Sequence, residues 1–367
     1  NNTDGTCTAN ITNNLSNRRL TINGAMTIAQ RGVSSTSAGY YTVDRWAIYN
    51  NGVDEAPTQA QADVASGTTP YTSGFRKCLK VTNGNQTSGA QAAGYVWIQH
   101  SLEAQDIANC GWNYVSNSSN ITLSFWVKSS VAQTFVGYLR SRDGTEQQYP
   151  FETGSLSADT WTKVTKTIPG NSSLQFDNNN AQGLQIVILP FIGTNYTNNS
   201  VTYNAWGTYT SAARVKDSTT TWFTTNDATF EITGVQLEVS DHASDFEHRS
   251  FGDELARCQR YYYNHVTDAG TQLAIANVQA YSSGTAYGTL HFPVTMRANP
   301  SLSATSGGNY YIIHGNATST YSNSVGMETV GTNAVLVNTS GSYVQGYGYF
   351  ARTNAGAGGK VSFSAEL

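Results

Sequence analysis

Charge is scarce in this chain: Asp, Glu, Lys and Arg make up 12% of its 367 residues, against about 25% in an average soluble domain. The 20 Lys and Arg are thinly spread and the formal net charge is −4, so there is no basic stripe for a phosphate backbone and nucleic acid is not an expected partner. A neutral, hydroxyl-rich partner fits better. No run of about 18 apolar residues occurs, and the opening stretch NNTDGTCTANITNN lacks the charged start and apolar core of a signal peptide, so no membrane insertion is expected. The sequence begins without Met, which reads as processing or as the ordered part of something longer.

Metal and nucleophile signatures are missing as well. Cys7, Cys78, Cys110 and Cys258 form no CxxC or Cys/His cluster, so no structural zinc is expected. Disulfides and buried free thiols are equally compatible with that spacing, which does not say whether Cys78 and Cys110 pair. His100, His242, His248, His265, His291 and His314 form no HxH, HExxH or triad order, and no GxSxG, Walker A or dinucleotide fingerprint occurs. The carboxylates Asp44, Glu103, Glu231, Glu238, Asp245, Glu247, Asp253 and Glu254 allow many pairs, but no spacing singles out the two a glycosidase needs. They read as surface groups or strand-end partners. The expectation is no enzyme, no cofactor and no metal site, with a structural calcium the one ion such a fold readily accommodates, although no EF-hand-like loop is present. The sequons at Asn120 and Asn195 arise by chance in so much Asn, Ser and Thr and carry no weight.

What the sequence does have is alternation. In NITLSFWVK, from Asn120, the residues Ile121, Leu123, Phe125 and Val127 share one face, with Trp126 on the other. WTKVTKTI, from Trp161, has one wet face; GLQIVILPF, from Gly183, is apolar on both and predicts a covered central strand; FEITGVQLEV, from Phe230, alternates around a bulge at Gly234. Turn-rich segments such as SRDGTE and DNNNAQG separate them. The pattern predicts an all-β chain: an antiparallel jelly-roll sandwich followed by a short helical joint and a second, smaller β-sandwich. The length suits two domains. Their expected bounds are a lead-in or linker over 1–19, the jelly roll over 20–250, the joint over 251–265 and the C-terminal β domain over 266–367. From Thr271 onward only Arg297, Arg352, Lys360, Glu328 and Glu366 carry charge.

Aromatic rings amid polar residues are the remaining binding signal, since sugars stack their C–H faces on flat rings while amides bracket the hydroxyls. Tyr95, Trp97 and Gln99 share a strand face, and Trp126, Trp206 and Trp222 lie among Thr, Ser, Asn and Gly. For any single Trp, packing in a core or between subunits is the commoner fate. Tyr310, Tyr311, Tyr343, Tyr347 and Tyr349 have the tyrosine-and-glycine surroundings of recognition loops, and a subunit interface explains them equally well. In FGDELARCQRYYYNH, Gly252 and Asp253 offer a helix start, and Leu255, Cys258 and Tyr262 share a helical face that would dock on the jelly roll or a symmetry mate, with Tyr261 and Tyr263 beginning the next strand.

Two stretches together carry a resemblance: INGAM, AQRG and YTVDRW between Asn13 and Trp46, then TGVQLEV, FEHRS and ELARCQRYY between Glu231 and Tyr263. In that order they resemble a family of phage virion proteins, chiefly tail fibres and related receptor-binding proteins common in cyanophages. The resemblance covers roughly Leu20 to Tyr263; FPVTMRANPSL further on is a weaker match to a β domain often appended to such proteins. It implies a carbohydrate-binding-module-like jelly roll on a virion, homotrimeric, with host cell-surface polysaccharide and other virion proteins as partners and no catalysis. A capsid decoration or head-fibre protein is the alternative, and a polysaccharide depolymerase tailspike a further one. Within the motifs, Asp44 and Arg45 would pair with each other's neighbours near the start of the sandwich, and Phe246, Glu247 and Arg249 would close its last strand as structural residues.

Overall fold

Alternation becomes sheet wherever the sequence carries it. The computed structural model describes residues 19–367; the lead-in, apart from Arg19, and Cys7 lie outside the described residues. Ile121, Leu123, Phe125 and Val127 of Asn120–Ser129 are fully enclosed, with Trp126 half-buried on the opposite face. This strand belongs to a six-stranded sheet in the order Ser34–Ser35, Thr58–Asp63, Lys77–Thr82, Thr229–Val239, Asn120–Ser129, Thr162–Pro169. A second six-stranded sheet runs Gly207–Thr208, Gln147–Leu156, Gln133–Ser141, Gln182–Ile192, Tyr95–Glu103, Trp46–Asn51. All pairs in both are antiparallel. Their facing sides close a jelly-roll core around Trp46, Phe125, Phe151, Phe191, Trp222 and Phe230. Burying such side chains contributes roughly 1.5–3 kcal/mol each.

Gln182–Ile192 is buried along its length from Gly183, as a strand apolar on both faces requires. One face meets the core. The other is covered by the irregular segment 194–217, whose Tyr196, Tyr203, Tyr209 and Val215 pack on Val136, Tyr138, Val187 and Leu189. Gly234 marks the bulge in Thr229–Val239: its φ is +63°, the register jumps between Thr233 and Gln236, and a Cβ there would lie 2.6 Å from the Phe75 ring.

The second sandwich sets a three-stranded sheet, Tyr262–Thr267, Lys360–Ser364, Ser301–Ala304, against a seven-stranded one. The latter runs Thr318–Ser322, Tyr311–Gly315, Gly348–Thr353, Ala274–Ala280, Thr285–His291, Ala334–Ser340, Val325–Val330. Val278, Leu290, Val337, Tyr349, Val361 and Phe363 belong to its core.

A helix, Phe251–Gln259, joins the two sandwiches. It starts earlier than Gly252 and Asp253 imply, because the Ser250 hydroxyl caps it by accepting from the Asp253 N–H at 3.1 Å. Leu255 and Cys258 pack with Ile22, Ile28, Tyr261 and Leu367. The roles expected of two tyrosines are exchanged. Tyr261 is the residue buried beside the helix, and Tyr262 is the first residue of the next strand.

Charged residues from both sandwiches tie this joint. Arg45 pairs with Glu366, and its guanidinium lies 3.5 Å from the Tyr261 ring centroid. Arg31 reaches Glu366 at 3.0 Å and stacks 3.6 Å from the Tyr262 centroid. Asp44 accepts from the Gln30 N–H at 3.0 Å, whereas Arg45 finds its partner in the second sandwich rather than near the start of the first. Phe246, Glu247 and Arg249 do not close the last jelly-roll strand, which ends at Val239. They hold the chain entering the sandwich instead: Glu247 accepts from the Arg19 N–H at 2.7 Å, Arg249 donates to the Thr21 carbonyl at 3.4 Å, and Phe246 lies under Arg19 at 4.7 Å.

Candidate functional site

Several aromatics named from the sequence are enclosed by the fold and offer a ligand no surface. Trp222 is fully buried in the jelly-roll core. Tyr311 is fully buried too, its hydroxyl donating to the carbonyls of Thr305 and Lys360 at 2.9 and 2.8 Å. The Tyr343 hydroxyl meets Thr339 Oγ1 at 3.0 Å inside the second core. Trp126 packs beside Trp161 and Phe246. Trp206 is half-buried, donating from Nε1 to the Pro169 carbonyl at 2.7 Å, and borders a shallow hollow of about 230 Å³ with Gln148 and Pro150. Tyr310 lies beside Tyr311, and Tyr347 stands exposed on a loop.

Tyr95, Trp97 and Gln99 do share a face, but their rings are already used. Tyr95 and Trp97 stack on each other at 4.1 Å, Tyr49 meets Trp97 edge-on at 5.9 Å, and Arg214 lies 5.1 Å from Trp97 and 4.6 Å from Tyr196. Gln99 is buried and donates to Ser101 Oγ at 3.1 Å. This cation–aromatic stack fastens the segment 194–217 over the sheet.

An open aromatic face lies on the solvent side of the seven-stranded sheet. Two-residue alternation sends Val278, Ala286, Leu290, Val337 and Tyr349 into the core and leaves Asn277, Gln279, Tyr287, Thr289 and Phe350 outside. Register then brings the outward set together: Asn277 is opposite Phe350, and Gln279 is opposite both Gly348 and Tyr287. Between them runs a groove of about 520 Å³, bordered by Tyr287, Phe350, Asn277, Gln279, Thr289 and Leu336. Gly348 keeps its floor low, since a Cβ there would meet nothing within 4 Å. Phe350 is 60% exposed, and Tyr281, 72% exposed, braces Tyr287 edge-on at 5.7 Å. The Glu328 carboxylate beside the Tyr287 hydroxyl pushes its pKa up. Neighbouring exposed aromatics on a sheet whose other face is packed mark a candidate binding surface.

Chemically, the groove offers flat rings for stacking and amides for hydrogen bonding, with no charged group in its wall. It can bind a hydroxyl-rich ligand by stacking and hydrogen bonds. Sequence reasoning named Tyr349, which borders the groove while facing the core, but missed Phe350, Tyr287 and Asn277. The available signal was an aromatic at a polar position of an alternating strand.

Most of the carboxylates considered for hydrolysis are engaged elsewhere. Glu103 accepts from Arg260 Nε and Nη2, both at 2.8 Å, Glu254 pairs with Arg19, Glu231 lies 3.0 Å from Lys128, and Glu238 accepts from the Ser244 N–H at 2.9 Å. Among the described residues no group of three His, Cys, Asp or Glu converges as a metal site. Cys78, Cys110 and Cys258 are free thiols, so Cys78 and Cys110 do not pair. Burial pushes the Cys78 thiol up to about 12.

The chain matches no known family profile and no curated protein. Among solved structures it is similar to the enzymatically active domain of tailspike protein 4 of bacteriophage CBA120, at 9% identity and a TM-score of 0.32, over 61% of this chain and 22% of that one. A putative sugar binding protein from Bacteroides thetaiotaomicron aligns at 13% identity and a TM-score of 0.31, over 60% of this chain and 100% of its own. A family 11 carbohydrate-binding module from Clostridium thermocellum, in complex with a mixed-linked tetrasaccharide, aligns at 13% identity and a TM-score of 0.26, over 57% and 98%. At these TM-scores the likenesses carry no functional weight.

Proposed function

We propose that this chain binds host-surface glycan without cleaving it, as the receptor-binding part of a homotrimeric phage tail fibre, and that the groove across Tyr287 and Phe350 is its binding site. The observation that carries the binding reading is Phe350, an apolar ring 60% exposed beside unpaired space and the amides of Asn277 and Gln279. Stacking and amide hydrogen bonds together are what a pyranose face and its hydroxyls require. The virion setting and the trimer are supported by the resemblance of the motifs that bracket the first sandwich.

Titration of the protein with polysaccharide from candidate host envelopes tests the reading. Binding is expected, and Gly348→Val, which raises the groove floor while suiting a strand, is expected to weaken it at least tenfold with the fold intact. Equal binding by that variant would move the site elsewhere. An antibody to this chain should label virion tails; label on capsids would replace the fibre reading with a decoration one.

A further inference from the structure

A second hollow adjoins the groove on the same sheet face. It has about 500 Å³ and is bordered by Gln272, Ala276, Asn277, Phe350 and Arg352. Asn277 and Phe350 line both hollows, so the Phe350 ring stands as the divide of one longer trough. Arg352 lies two residues along the strand from Phe350, opposite Ala274 and Ile312.

Arg352 has no counter-ion. Its Nε is buried without a hydrogen-bond partner, and it takes part in no salt bridge among the described residues. The acidic residues after Tyr262 are Asp268, Glu328 and Glu366. Asp268 accepts from the N–H groups of Gly270 and Gly358, Glu366 pairs with Arg31 and Arg45, and Glu328 lies beside Tyr287 and forms no salt bridge among the described residues. Among the described residues no carboxylate meets Arg352, so its guanidinium can take an anion from outside the domain. A buried donor without an acceptor is costly.

Resting on the reading of the groove as a glycan site, we propose that the trough takes consecutive sugars across Phe350, and that the sugar over Arg352 carries a carboxylate. The ligand class is an acidic polysaccharide containing uronate residues. A guanidinium also presents its two Nη–H groups side by side at the spacing of two carboxylate oxygens, and in Arg352 only Nε is buried without a partner. The Gln272 and Asn277 amides lie at hand for the ring hydroxyls. A sulfate ester is the other anion such a fork accepts, and the test separates the two.

The experiment prints bacterial polysaccharides as isolated, after carbodiimide-mediated reduction of their uronate carboxyls, and after desulfation, and probes them with the full chain and with Arg352→Gln. The native chain is expected to bind an uronate-containing member about fivefold more tightly than its carboxyl-reduced form, the scale of one partly exposed ion pair. R352Q is expected to bind both forms alike, at the affinity the native chain has for the reduced one, and desulfation to change nothing. Equal native binding before and after reduction, a preference that survives in R352Q, or sensitivity to desulfation instead would overturn the uronate assignment and leave the groove reading standing. Absence of binding to every glycan would overturn both. The reduction arm needs no variant, so it stands whatever R352Q does to folding.

Discussion

Arg45 and Glu366 form an ion pair across 321 residues of sequence, with the Arg45 side chain wholly enclosed and its guanidinium also against Tyr261. Removing one partner of such a pair leaves an uncompensated buried charge, which is worse than never having had the pair. Glu366→Gln is therefore expected to destabilise the protein by about 3 kcal/mol, read as a lower urea midpoint. Arg45→Met in the same background should recover part of the loss; a double variant as weak as the sum of the singles would show the pair to be uncoupled.

The joint also sets a pH dependence. Burial pushes the Asp44 carboxyl from 3.8 up to about 6, against the pull of Arg31 and the Gln30 hydrogen bonds. The folded chain holds this proton where the unfolded chain has released it, so the contribution of Asp44 falls as pH rises from about 4 to about 6. His100 acts in the opposite sense. Burial, then the Arg45 charge, push it from 6.5 down to about 3. Its Nε2 accepts from the Ile22 N–H at 3.3 Å while Nδ1 faces the Arg45 carbonyl at 3.0 Å, an arrangement for the neutral ring. Its contribution is complete above 6.5 and is lost as pH falls toward 3. The two slopes offset each other. In Asp44→Asn only the His100 slope remains, and the variant should lose roughly 2–3 kcal/mol more than the native chain between pH 6 and pH 4. Parallel urea midpoints for the two proteins across that range would remove Asp44 from the account.

Leu255 packs with Ile22, Ile28 and Tyr261 at the joint. Leu255→Asp places a carboxylate among them and is expected to cost about 2–3 kcal/mol, to expose the segment around Phe246 to protease, and to leave glycan binding unchanged. Intact packing with binding abolished would mean the helix is part of the site.

The two aromatic clusters should respond differently to truncation. Phe350→Ala removes an exposed ring, so stability should shift by no more than about 0.5 kcal/mol while glycan affinity falls about tenfold. Trp97→Ala takes a ring out of the stack with Tyr95 and Arg214 and is expected to lower stability by about 3 kcal/mol with affinity retained. Calorimetric titration beside thermal unfolding separates the two; a reversed pattern would return the site to the first sandwich.

The strands were legible because their evidence is local. Ile121, Leu123, Phe125 and Val127 recur at every second position and all end in the core, and GLQIVILPF could only be a strand covered twice. Its second cover was not legible, since Tyr196, Tyr203, Tyr209 and Arg214 lie in an aperiodic run of Thr, Asn and Ser and find their places through Trp97 and Tyr138, far away in sequence. The open groove was hidden for a related reason. Tyr349 and Phe350 are neighbours of similar character, yet one is 4% and the other 60% exposed; alternation along the strand separates their faces, but which residues join Phe350 there depends on its register against Asn277 and His314. Buried pairs such as Arg45 with Glu366 join residues no spacing rule connects.

That long-range pair has a consequence for synthesis. While a ribosome is still making the second sandwich, the first has already emerged with Arg45 at its edge and no carboxylate to meet it. Domains generally fold as units in the order they emerge, so the first sandwich forms with Arg45 still lacking Glu366, and this contact is made only once the second sandwich has been synthesised.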